Sequence, residues 1–126
     1  MSLFDATEVS ETGIEPGEYV IFVDHAEVKE TKSGTGEYIN IRWKLEDQGD
    51  TFYSLYNIKN PNEKAVQIGL SELKRMCAAA GVEAKVSSVD ELNGLRVKAR
   101  LAEKEDDYGI KTVIKKYMKA EAAQAF

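Results

Sequence analysis

One segment constrains the fold more than any other: "NPNEKAVQIGLSELKRMCAAAG", residues 60–81. Val66, Leu70, Leu73 and Cys77 recur at steps of three or four, the spacing that lines up one buried stripe on an α-helix. Asn60 suits the N-cap, Pro61 suits the first helical position, and Glu63 completes a capping-box spacing. Gly81 stops the helix. On either side the apolar period falls to two, so the fold must seat one long helix among strands.

Before the helix, Pro16-Gly17 marks a turn. "EYVIFVDHAEVKETK" then opens as an apolar run and shades into alternation, which predicts a long, curved strand. "SGTG" is a flexible turn, and "EYINIRWKL" returns, so residues 18–45 form a hairpin. "EDQGD" turns again into "TFYSLYNI", a third strand rich in aromatic residues. A turn of two or four residues places Leu45 opposite Phe52. Phe52, Ser54, Tyr56 and Ile58 then share the core face with Ile39, Ile41 and Trp43. After the helix, "SVDELNG" gives a short helical turn capped by Ser88 and ended by Gly94. "LRVKARLAEKEDDYGIKTVIKKYM" gives a second hairpin with an acidic turn.

The predicted order is β-β-β-α-β-β. It matches a mainly β fold, the five-stranded Greek-key OB-fold barrel with its helix between strands three and four. An SH3-like barrel lacks a helix of that length there; an α+β sandwich is the other arrangement open to this pattern. Residues 1–15 read as a flexible acidic N-terminal arm, 16–118 as the OB domain and 119–126 as a flexible C-terminal tail.

The chemistry of catalysis is sparse. Cys77 is the only cysteine and His25 the only histidine. Neither belongs to a cluster that would hold a metal or act as a nucleophile, so no enzyme activity, metal or cofactor is expected. "SGTG" is not a phosphate-binding loop, and "EKEDDYG" lacks the ligand spacing of a calcium loop. No apolar run reaches the length of a membrane span, and the N-terminus does not read as a signal peptide. With one cysteine, a cytoplasmic protein is expected.

The net charge of −5 argues against a uniformly basic nucleic-acid binder. The charges are segregated, however, and their placement matters more than their sum. On the outer face of the second and third strands, Tyr38, Asn40, Arg42 and Lys44 lie beside Tyr53, Leu55, Asn57 and Lys59. Cations that track phosphates, interleaved with rings on which bases stack, are what a single-strand binder needs. Lys29 and Lys32 flank the first loop, and Lys111 follows the last. Arg96, Lys98 and Arg100 form a second basic stripe without an aromatic partner, either an accessory phosphate contact or a plain solvated face.

"KSGTGEYINIRWKLED", "LYNIKNPNEKAVQIGLSELKRMCAAAGV" and "ELNGLRVKARLAEKEDDYG" together resemble a family of small bacteriophage proteins of formerly unknown function. The resemblance covers roughly residues 14–118. That family looks like OB-fold single-stranded DNA-binding proteins, and the likeness implies a role in phage replication or recombination. Its implied partners are single-stranded DNA and other replication or recombination proteins, and a free strand edge would allow a homo-oligomer. The alternative is a protein-interaction barrel, an adaptor in a phage replication or particle assembly. The tail, "KAEAAQAF", has an apolar tip at Phe126 but only Glu121 as an acid nearby. It departs from the acidic tails of many such proteins and reads as a frayed end.

Overall fold

The helix forms where its periodicity predicts, and strands form on both sides of it. A computed structural model describes residues 13–107 and 109–120. The elements are β1 (Gly17–Glu30), β2 (Glu37–Leu45), β3 (Thr51–Lys59), α1 (Glu63–Ala80), a 3-10 turn (Val89–Leu92), β4 (Arg96–Asp106) and β5 (Gly109–Met118). Paired strands are antiparallel and make one sheet of order β3-β2-β1-β4-β5. Residues 1–12 and 121–126, with most of the proposed arm and tail and Phe126, lie outside the described residues. Ile14, which the sequence reading assigned to the arm, is buried in the core.

The closed barrel expected from the element order is not formed. The sheet is open, with β3 and β5 as its edges. Side chains take the place of a ladder there. Trp43 Nε1 donates to Ser54 Oγ at 2.6 Å, and Ser54 donates to the Tyr56 hydroxyl at 2.9 Å. The Tyr56 and Tyr117 hydroxyls then share a hydrogen bond of 2.5 Å between the two edge strands. Helix α1 also contacts β3 and β5, so a helix and bulky side chains occupy the gap a closing ladder would need. Burial pushes the pKa of both tyrosines up, so they stay neutral donors and acceptors.

The core lies on one face of the sheet. Ile41, Trp43 and Leu45 of β2 meet Val97, Ala99 and Leu101 of β4 and Ile21 and Val23 of β1, all essentially inaccessible to water. The faces of β2 and β3 are as the alternation predicts, but the register is not. Trp43 pairs with Phe52 and Lys44 with Thr51, two residues away from the expected Leu45–Phe52 pairing. The loop closes one residue earlier on the β2 side: Leu45 N–H donates to Asp50 O at 2.8 Å, and Gly49 N–H to Leu45 O at 2.9 Å. A shift of two keeps every side chain on its own face.

Helix α1 departs from the sequence reading at two points. Its N-cap is Asn62, whose side chain accepts from Lys64 and Ala65; Asn60 instead accepts from the Asn62 N–H at 2.9 Å. An extended conformation suits a residue before proline, which keeps Asn60 out of the helix. The buried residues are Gly69, Met76 and Cys77, while Leu70 is half exposed. The helix is rotated because Gly69 sits directly on the β3 backbone at Asn57. Gly81 ends it in the left-handed conformation, φ 77°. Ser88 caps the 3-10 turn, as expected, and Glu91 completes a capping box there.

Cys77 is buried, and desolvation holds its thiol pKa above the usual value. The thiolate is the reactive form. Native protein should therefore react with a thiol reagent such as DTNB at least tenfold more slowly than protein in denaturant. Equal rates in the two conditions would place Cys77 at the surface.

Candidate nucleic-acid interface

The outer face of the sheet is built by register. Across β3, β2 and β1 the rows are Asn57–Tyr38–Lys29, Leu55–Asn40–Glu27, Tyr53–Arg42–His25 and Thr51–Lys44–Phe22. The sheet thus brings together Lys29, Tyr38, Asn40, Arg42, Lys44, Tyr53 and Asn57. Lys59 stands at the end of β3 opposite Glu37, past an irregularity in the ladder. Lys32 is exposed in the β1–β2 turn. Lys111 is not joined to this group. It lies on β5, at the other side of the sheet order, and its ammonium is 3.0 Å from Asp106. Tyr53 lies across from Arg42, not from Lys44 as the sequence register would have it.

Tyr53 is the most exposed large hydrophobic side chain on the face, at 58 %, and Leu55 beside it is at 50 %. Arg42 stands across the ladder from Tyr53, and Asp24 takes Arg42 Nε at 2.7 Å. Tyr53 and then Asp24 raise the Arg42 pKa, so Arg42 is firmly charged. Asp24 of β1 and Arg42 of β2 are thus joined beside Tyr53 of β3.

Asp24 reaches Arg42 because of a bulge. The ladder slips between Val23 and His25, leaving Asp24 as the extra residue. Asp24 and His25 are both exposed, while Val23 and Ala26 on either side of them stay buried. Bulges re-aim side chains in this way. The backbone around it is satisfied by the turn before β4: Val23 N–H donates to Leu95 O, Gly94 N–H to Val23 O, and Ala26 N–H to Asn93 Oδ1.

Several cations of the face already have carboxylate neighbours. Arg42 has Asp24, and Lys29 Nζ is 3.3 Å from Glu27. Lys32, Lys44 and Lys59 make no ion pair among the described residues. The second basic stripe is also mostly engaged. Arg96 holds Glu46 through two hydrogen bonds of 2.7 and 2.8 Å, which lowers the Glu46 pKa, and Lys98 lies 3.5 Å from Glu18. Sequence reasoning missed Asp24, Glu46 and Glu18 because they lie elsewhere along the chain and are brought up by a register the sequence does not declare. It also missed an apolar cleft of about 540 Å³ on the opposite side of the sheet, lined by Val28, Ile39, Leu70 and Val86 among others.

Among the described residues no group of three or more metal-ligating side chains converges, and no helix is long and apolar enough to cross a membrane. Together, fold and site define a mainly β protein with one helix between its third and fourth strands and a cation-and-tyrosine outer face. A family model described as "Protein of unknown function (DUF669)" matches residues 2–124, and the chain belongs to that family. No curated protein matches it.

Proposed function

We propose that this chain binds single-stranded DNA with little sequence preference, on the outer face of β2 and β3. The observation that carries the reading is the exposed Tyr53 ring, across the ladder from Arg42 and close to Lys44, which makes no ion pair among the described residues. A flat ring on a strand offers a base a stacking surface, and a nearby ammonium can meet the phosphate. The strand order supports an OB-like Greek key. Three strands meander, and the fourth returns through α1 to lie beside the first. OB-folds are partly open barrels that use this face, so the open edge is compatible with the reading. The resemblance to small bacteriophage proteins suggests transient single strands in replication or recombination as the setting.

A second reading, a protein-interaction module, draws on two features of the same face. Leu55 is exposed beside Tyr53, and Asp24 neutralises Arg42. Such a module would show no salt-dependent binding to oligonucleotides.

Fluorescence anisotropy with labelled oligo-dT separates the two. Tyr53→Ala should weaken binding about 5- to 150-fold, the equivalent of roughly 1–3 kcal/mol of stacking, with an unchanged salt slope. Lys44→Ala should weaken it and make the slope of log K against log salt shallower by about 0.7, the value for one phosphate on a single strand. Asp24→Asn should tighten binding by freeing Arg42. Wild-type affinity in all three variants would sink the assignment.

A further inference from the structure

A group of cations outside the β2–β3 face stands on β4, β5 and the facing side of α1. Arg100 of β4 stands directly across from Lys116 of β5. Like charges facing one another across a ladder destabilise it. Beside them Lys115 is the extra residue of a bulge, between the Arg100–Lys116 and Leu101–Ile114 pairs. Lys115, Lys116 and Lys119 then line a groove of about 590 Å³ with Arg75 of α1.

All five cations are exposed, and none makes an ion pair among the described residues. Two carboxylates are near. Glu72 lines the groove half-buried; burial raises its pKa, and Arg75 acts against that rise. Glu18 lies across from Arg100 on β1 but is engaged by Lys98. A chain with net charge −5 has acids enough to neutralise such a cluster, yet leaves this one open. The ring lining the groove, Tyr117, is half-buried and bonded to Tyr56, so the surface offers charge without a stacking platform.

We infer that the groove between α1 and β5, lined by Arg75, Lys115, Lys116 and Lys119, is a second polyanion site that holds a phosphodiester backbone through charge alone. The choice of a nucleic-acid backbone over an acidic peptide rests on the proposed single-strand reading. On that reading the β2–β3 face holds bases, and this groove holds a further length of the same strand. Each neutralised phosphate releases counterions, so the site makes binding more salt-dependent than the first face does alone.

The test uses a labelled abasic strand of about twenty sugar-phosphates, which offers charge without bases, alongside oligo-dT of equal length. Wild-type protein should bind the abasic strand at low salt. Lys115→Ala/Lys116→Ala/Lys119→Ala should bind it at least tenfold more weakly, with a salt slope shallower by about 2, from three phosphate contacts at roughly 0.7 each. Circular dichroism checks that these exposed substitutions leave the fold intact.

The inference is overturned if the wild type does not bind the abasic strand, or if the triple variant binds it equally well. It is also overturned if polyglutamate of matching charge competes as strongly as the abasic strand. The two readings fail separately. Loss of abasic binding in the triple variant, with Tyr53→Ala neutral on oligo-dT, keeps the groove and removes the face. A neutral triple variant with a weakened Tyr53→Ala does the reverse.

Discussion

Trp43→Ala is expected to lower the free energy of unfolding by about 3–5 kcal/mol, as truncation of a buried indole does in other cores. Trp43 is fully buried, the largest side chain of the core to be so. Its loss leaves a cavity between β2, β3 and their neighbours. It also removes the donor at the head of the hydrogen-bond chain through Ser54 and Tyr56 to Tyr117. That chain connects the two edge strands of an open sheet, so its loss loosens the place where no ladder exists. Domains are stable by only about 5–15 kcal/mol, so the variant should be partly unfolded at modest urea concentrations. Urea unfolding followed by circular dichroism measures it, since the chain has a single tryptophan and the variant loses its fluorescent probe. Trp43→Phe should fall between, because it keeps a ring but leaves Ser54 without its donor. A loss under about 1 kcal/mol for Trp43→Ala would mean that the core can collapse around the gap.

The buried indole also bears on the site. The largest aromatic of "EYINIRWKL" is unavailable for stacking, as strand alternation indicated, and Tyr53 is the exposed ring. Alternation is legible because period two is a local property of the chain. It assigned Ile41, Trp43, Phe52 and Tyr56 to the core, and Tyr53 and Leu55 to the outside. Register is not local. Loops over residues 46–49 and 47–50 give the same faces, so periodicity could not choose between them, and only backbone hydrogen bonds fix Lys44 opposite Thr51.

The electrostatics of the site were the least legible part. Whether Arg42 is free depends on Asp24, eighteen residues away, and on a bulge with no signature in the alternation. Arg96 depends on Glu46, fifty residues away. The sequence showed a face with several cations; the register turned some of them into ion pairs and left Lys44 and Lys59 without one among the described residues. The helix shows the same limit. Its existence and its end at Gly81 followed from local signals, but which of its residues is buried was decided by how closely β3 approaches.

That approach yields the second large effect. Gly69→Ala should lower the free energy of unfolding by about 1–3 kcal/mol, even though alanine is the better helix former by roughly 1 kcal/mol. A Cβ at Gly69 would lie 2.2 Å from the Asn57 carbonyl oxygen and 2.7 Å from its nitrogen. Both are backbone atoms of β3, so no side chain can swing aside, and helix or strand must retreat. At this chain length the melting temperature should fall by roughly 3–6 °C per kcal/mol. Leu70→Ala, at the half-exposed neighbouring position, is the control and should shift it far less. The contact also joins fold to site. Asn57 pairs with Tyr38 across the β2–β3 ladder and lies on the strand that carries Tyr53. If α1 sets the height of β3, Gly69→Ala should weaken oligo-dT binding at temperatures where the variant is still fully folded. An unchanged melting temperature would show that the helix can tilt away from Asn57. A lowered one with intact binding would show that β3 holds the face without help from the helix.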